Sequence, residues 1–263
     1  MTDLKISIIQ SDLFWENIGA NLANFEERIW AIQDKIDLII LPEMFSTGFT
    51  MNVEGLSEPP NFQTFRWMLQ MADQKKAVIM GSYVVKENNN YFNRLYAVYP
   101  DETYRFYDKK HLFALGKEQD VFESGEKKTI INIKGWRVCP LICYDLRFPV
   151  WSRLKSNGVD FYEYDILVYI ASWPKMRINV WDTLLSARAI ENQSYCIGVN
   201  RVGLDGNNLE YPGHSCVYDY SGVQQSFLGS KVATLTVLLS KENLDLFRSN
   251  FPFQKDADFF KLL

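Results

Sequence analysis

Apolar positions along this chain switch between a period of two and a period of three to four, and the switches mark out alternating strands and helices. Residues 5–10 form a strand-like run. Ile18, Leu22, Phe25, Ile29, Ile32 and Ile36 then recur at helical spacing and give a helix within residues 16–36 one apolar face. A short buried strand follows at 38–41, and Phe62, Phe65, Leu69 and Ala72 mark a second helix. Residues 77–85 and 91–99 read as strands joined by the hairpin-like turn Lys86-Glu-Asn-Asn-Asn90, and 103–107 as a further strand.

The second half repeats the scheme. Strands at 129–133 and 137–143 flank Lys134-Gly-Trp136, and residues 150–157 predict a short helix. A strand at 165–171 precedes a helix over 177–193 that contains Trp181, Leu184, Leu185 and Ile190. Strands are expected at 195–200, 214–218, 222–227 and 232–239, with a short helix near 242–248 and an aromatic tail. Helices alternating with strands, with hairpins mixed in, make an α/β domain of mixed sheets rather than a purely parallel one. The apolar helix faces need sheet surfaces to cover, and two packed sheets with helices outside each would supply them. Pro140 lacks a ladder donor, so it predicts an edge position or a bulge within 137–143 and leaves the facing of Cys143 open.

The chain has 263 residues, 47% hydrophobic and 15% aromatic, which is ample for one large core and predicts a single domain over residues 1–263. Net charge is -4 with both signs interspersed. No basic stripe points to nucleic acid, and no polybasic cluster points to a membrane surface. The longest apolar runs are strand-sized, short of a membrane span. The N-terminus enters a strand pattern at once, with no signal peptide in view, so a cytoplasmic location is expected.

The four cysteines, Cys139, Cys143, Cys196 and Cys216, have no zinc-knuckle or redox-pair spacing. A regular strand would hold Cys139 and Cys143 roughly 13 Å apart, at about 3.3 Å per residue. That is beyond the reach of a disulfide. Four reduced thiols are expected, three of them small buried hydrophobes.

Three polar residues close apolar runs: Glu43 after Leu38-Ile-Ile-Leu-Pro42, Lys109 after Phe106-Tyr-Asp108, and Cys143 after Cys139-Pro-Leu-Ile142. Cleaving a carbon–nitrogen bond through a thioester needs a nucleophile, a base, donors at the oxyanion and an acid for the leaving amine. Cys143 can attack. Glu43 can take the thiol proton, hand it to departing ammonia and later activate water. Lys109 favours both thiolate and oxyanion, and the backbone N–H of Tyr144 can be a second oxyanion donor.

These residues, in this order, resemble the nitrilase superfamily of carbon–nitrogen hydrolases. The matching segments are Leu41-Pro-Glu43, Tyr107-Asp-Lys-Lys-His-Leu-Phe113 and Leu141-Ile-Cys-Tyr-Asp-Leu-Arg-Phe-Pro149, with Ala187-Arg-Ala-Ile-Glu-Asn-Gln193 and Gly213-His-Ser215 later. The resemblance covers nearly the whole chain. It implies a four-layer αββα sandwich, a homodimer packed across a helical interface, Glu43 as general base and Cys143 as nucleophile. It makes Lys109, two before His111, the family lysine, and puts the second glutamate on Glu118, which would orient base and lysine. Met44-Phe45 and Ala171-Ser-Trp-Pro174 look more narrowly like the YafV-type omega-amidases, which hydrolyse the terminal amide of 2-oxoglutaramate-like acids. No cofactor is implied.

Each reading has a plainer rival. Glu118 lies among Lys117, Gln119 and Asp120, a run that also suits a solvated loop. Arg177 can bind a substrate carboxylate bidentately or sit at a helix start on the surface. Trp173 and Phe45 can wall a substrate pocket or fill core. Arg147 can also bind a substrate carboxylate, but a structural pair with Asp145 or another acid is the better reading, and 187–193 reads as structural packing. A Cys–His dyad would have to use His111 or His214, and these two histidines have poor spacing for a metal. Other substrates (a nitrile, an N-carbamoyl compound or deaminated glutathione) would use the same thioester chemistry, and a retired binding protein could keep the same fold.

Overall fold

The computed structural model describes residues 2–154 and 162–258. Two βαβαβ runs organise it. In the first, β1 (Leu4–Gln10), α1 (Ile18–Ala31), β2 (Leu38–Ile40), α2 (Gln63–Lys75) and β3 (Val78–Glu87) lay three parallel strands side by side. β4 (Asn90–Val98) and β5 (Tyr104–Asp108) extend that sheet antiparallel. In the second, β6 (Ile131–Ile133) leads into β7 (Trp136–Ile142), α3 (Pro149–Ser152), β8 (Ile166–Ala171), α4 (Ile178–Asn192) and β9 (Tyr195–Asn200), with β7, β8 and β9 parallel. β10 (Val202–Leu204) and β11 (Glu210–Pro212) pair as a separate ribbon. β12 (Cys216–Tyr218) and β13 (Gln224–Phe227) complete the second sheet, and β14 (Ala233–Leu239) returns to β1 before α5 (Lys241–Asn250). The sheet orders are β14-β1-β2-β3-β4-β5 and β13-β12-β9-β8-β7-β6.

The period-two pattern divides the apolar residues between two cores. Ile6, Ile8, Leu38, Ile40, Val78 and Met80 face a core shared with β7, β8 and β9. Their neighbours Ile9, Ile39 and Ile79 face α1 and α2 through Phe25, Ile29, Met68 and Met71. Strands buried on both faces read as continuous apolar runs, as these do. Trp181, Leu185 and Ala189 of α4 cover the second sheet. A Cβ on Gly198 would stand 2.4 Å from Leu185 Cδ1 and 2.7 Å from Trp181 Cζ2, so only glycine lets α4 approach β9. The result is the four-layer αββα sandwich.

Several boundaries differ from the sequence pattern. α1 ends at Ala31, yet Ile32 and Ile36 stay buried, because the connection to β2 packs on the same core. The β3–β4 hairpin is tighter than expected: only Asn88 and Asn89 turn, both at positive φ, as a two-residue turn requires. β6 pairs only with 136–138, so Pro140 has a strand on one side alone, and the β7–β8 register runs unbroken past it. α3 stops at Ser152, and residues 155–157 of the expected helix lie outside the described residues. β12 begins at Cys216 because His214 takes a positive φ of 62°. Ile190 is 54% exposed, off the buried face of α4. The β10–β11 ribbon was not expected. Among the described residues no helix is long and apolar enough to cross a membrane.

Candidate active site

The site forms where the strands end. Leu41 extends β2 by one rung, donating its N–H to Met80 O at 2.7 Å, and Pro42 halts the ladder. Met44 then turns at φ 45°, held by its N–H on Ser82 Oγ (2.9 Å), which leaves Glu43 at the strand mouth. Cys143 ends β7 and opens a 3₁₀ turn over Cys143–Arg147 at φ 44°, a left-handed conformation that a non-glycine residue adopts only under constraint. The constraint is Asp145, fully buried. It accepts from Ile142 N–H (3.0 Å), Tyr107 O–H (2.7 Å) and His111 N–H (3.0 Å), and its Oδ1 lies 2.8 Å from His111 Nδ1. Lys109 follows β5, and its N–H donates to Asn93 O at 3.1 Å. Glu118 opens a second 3₁₀ turn, Glu118–Asp120.

Glu43, Lys109 and Glu118 converge with almost no exposure. Lys109 Nζ lies 2.8 Å from Glu43 Oε1, 2.8 Å from Glu118 Oε2 and 3.0 Å from Glu118 Oε1. Glu43 Oε2 accepts the Ser172 N–H at 2.8 Å, and Glu118 Oε2 accepts the Phe113 N–H at 2.7 Å. The Cys143 thiol lies 3.9 Å from Ser172 O, beside the Glu43 carboxylate, whose charge acts on it. Glu118 is therefore part of the cluster and not a solvated loop residue.

The charges act on one another strongly in this dry setting. Burial pushes the Cys143 thiol well above its ordinary value; the Glu43 charge adds to this and Lys109 opposes it. Burial alone would lower Lys109, but the Glu118 and Glu43 charges outweigh it and hold the ammonium above its ordinary value. Burial raises Glu118 against the pull of Lys109. The resting thiol is therefore protonated, and attack needs a base at the moment of reaction.

Cys143 and Lys109 open onto a cavity of about 620 Å³, lined also by Tyr144, Trp173, Arg147 and Arg177. Arg177 lies over the Phe113 ring at 5.1 Å and Arg147 over the Trp173 ring at 5.1 Å. Neither guanidinium has a carboxylate partner among the described residues. Burial draws Arg177 below its ordinary value, and the nearby Arg147 charge adds to this. The expected Arg147–Asp145 pair does not form, because Asp145 is saturated by donors from β5, β7 and His111. Arg147 is instead a cavity residue, the alternative that the sequence reading ranked second.

Phe45 needs correction as a substrate-binding residue. Its ring is fully buried among Phe25, Trp67 and Tyr83, with centroids 5.6, 5.7 and 6.5 Å away, and it does not line the cavity. Alternation explains this: the turn at Met44 sends Phe45 to the outer face, toward α1 and α2. The histidines also sit apart from the cavity. His111 pairs with Asp145 and stacks on Phe148, and His214 pairs with Asp182 at 2.9 Å.

The fold and this site define a carbon–nitrogen hydrolase, and the chain belongs to that family: the family model described as "Carbon-nitrogen hydrolase" matches residues 5–248. Among relatives, it is 40% identical to the omega-amidase YafV of Yersinia enterocolitica, with 100% of both chains covered. It is 30% identical to the 2-oxoglutaramate amidase of Bacillus subtilis, covering 81% of this chain and 82% of that one. Among solved structures, a CN-hydrolase superfamily protein from Xanthomonas campestris, with an arsenic adduct in its active site, superposes with a TM-score of 0.96 at 35% identity over 100% of both chains.

Proposed function

We propose that this protein hydrolyses the terminal amide of small 2-oxo-dicarboxylate monoamides, such as 2-oxoglutaramate and 2-oxosuccinamate, releasing the 2-oxo acid and ammonia. The observation that carries the reading is one cavity whose lining includes the Cys143 thiol and the Lys109 ammonium, with Glu43 bonded behind Lys109, and two guanidiniums without a carboxylate partner among the described residues. The cluster matches the amide, and the guanidiniums match the carboxylate at the other end of the substrate.

The chemistry follows from the contacts. As Cys143 Sγ bonds to the amide carbon, Glu43 takes the thiol proton, so no free thiolate accumulates. Lys109 and the Tyr144 N–H stabilise the oxyanion, and Glu118 holds Lys109 in place. Glu43 returns the proton to the amide nitrogen, the carbon–nitrogen bond breaks, and ammonia leaves a thioester on Cys143. Water then attacks the thioester with Glu43 as base, and the acid is released with the thiol restored.

Ammonia release across a panel of ω-amides tests the reading. 2-Oxoglutaramate or 2-oxosuccinamate should exceed a simple aliphatic amide and a nitrile by at least about tenfold in kcat/KM. Arg177→Ala and Arg147→Ala should each erase about 10- to 100-fold of that preference, the worth of a charge-assisted hydrogen bond, while leaving the simple amide unchanged. A preference for the nitrile or the uncharged amide would overturn it.

We propose further that the protein works as a homodimer in the cytoplasm. Val150 of α3, Ile190 of α4 and Val223 are about half exposed; Leu154 N–H, two residues past α3, donates to Asn192 Oδ1 of α4, and Ile190 lies beside Gly222. All four cysteines are free thiols, as a reducing compartment favours. Sedimentation showing a monomer at micromolar concentration, or fractionation outside the cytosol, would reject these two proposals.

A further inference from the structure

Asn93 is a polar break in the apolar middle of β4, fully buried, one residue before Arg94. Its amide nitrogen stands 2.9 Å from Glu43 Oε1 and 3.3 Å from Glu118 Oε1, so each amide hydrogen has its own carboxylate. Those carboxylates are the pair that grips Lys109. The opposite orientation would press Oδ1 against two carboxylate oxygens, so the acceptors allow only this one. Oδ1 is left buried with no donor among the described residues. A side chain placed there only for packing would not leave an acceptor unpaired, because that is costly.

Counting donors shows what Asn93 adds. Glu43 Oε2 takes the Ser172 N–H, and Glu118 Oε2 takes the Phe113 N–H. Among the described residues the donors on the two Oε1 atoms are Lys109 and Asn93. Without the amide, one flexible ammonium would have to fix both carboxylates. Lys109 NH hydrogens committed to that task would be less free for an oxyanion in the cavity.

We propose that Asn93 is a positioning residue for the hydrolysis, its amide clamping Glu43 and Glu118 in one geometry so that Glu43 stays aligned on the Cys143 thiol. This rests on the thioester reading above. The charged and titratable groups that face the clamp are Glu43, Glu118, Lys109 and Cys143, with Tyr211 and Arg177 beyond them. Arg94 is occupied by Asp108 and Glu87.

The test replaces Asn93 by Leu, which keeps the bulk and removes both donors, and by Thr, which keeps one hydroxyl. Two profiles are measured against pH: kcat/KM on 2-oxoglutaramate, and the rate of Cys143 alkylation by iodoacetamide, followed on its peptide. Losing a donor to a carboxylate disfavours its charged form, so the acidic limb of both profiles should move to higher pH, by about half a unit to one unit in Asn93→Leu. kcat should fall about 10- to 100-fold with KM changed less than about threefold, and Asn93→Thr should lie between. If Asn93→Leu fails to fold, Asn93→Thr is judged by the same limb. An acidic limb that stays in place in the folded variants overturns the proposal, whatever happens to the rate. Should the wild type release no ammonia from any amide, the functional reading fails, and the alkylation profile alone decides the role of Asn93.

Discussion

The Tyr107 hydroxyl donates to Asp145 Oδ2 at 2.7 Å, and this contact joins the strand before Lys109 to the turn that carries Cys143. The same hydroxyl accepts from Trp151 Nε1 (3.0 Å) and Lys110 N–H (3.2 Å). Tyr107→Phe strands those donors and leaves the buried Asp145 one donor short. It should lower stability by about 1–3 kcal/mol, read by urea denaturation. Because the Cys143 turn is strained, activity should fall as well, and unchanged activity at reduced stability would show that Asp145 holds the turn without this contact.

Glu43→Gln should cut amide hydrolysis by about 10³-fold, since it removes the carboxylate that acts most strongly on the Cys143 thiol and keeps the side-chain shape. His214→Ala should stay within about twofold of wild type, because His214 is engaged by Asp182 away from the cavity. A near-normal rate in Glu43→Gln, or a collapse in His214→Ala, would return the Cys–His dyad to consideration.

Acid should unfold the protein partly through Asp165. Burial alone would raise this carboxyl, but Arg137, Lys241 and Arg248 outweigh burial and hold it at about 2. The folded value lies below the unfolded one, so the stabilisation is full above about pH 4 and is lost as pH falls toward 2. It amounts to about 2 kcal/mol. Asp165→Asn should lower stability at pH 7 by at least that much and flatten the fall between pH 4 and 2, measured by denaturation midpoints. A fall of the same steepness in the variant would place the acid sensitivity elsewhere.

Much of this was legible in the sequence because strand ends are legible. Glu43, Lys109 and Cys143 each close an apolar run; β2 and β5 lie in the first sheet with β3 and β4 between them and β7 lies in the second, and packing the two sheets brings the strand ends together. The fold could be read from the change of period, since helices that cover sheets must show it. What stayed hidden depended on facing. Phe45 and Met44 are adjacent, and only the turn's backbone decides which one points outward. Arg147 seemed bound to a neighbour two residues away, but Asp145 had stronger claims from distant strands. Asn93 did leave a signal, an amide beside Arg94 in the middle of a strand pattern, yet its partners lie 50 and 25 residues away. The β10–β11 ribbon has three-residue strands, too short to show a period.

The central claim is a covalent one, and acid-quenched mass spectrometry in the first turnovers with 2-oxoglutaramate tests it most directly. The account predicts a mass gain equal to substrate minus ammonia, confined to the peptide that holds Cys143, together with loss of ammonia release in Cys143→Ala. An acyl group on another residue, or a Cys143→Ala protein that still releases ammonia at the wild-type rate, would contradict it.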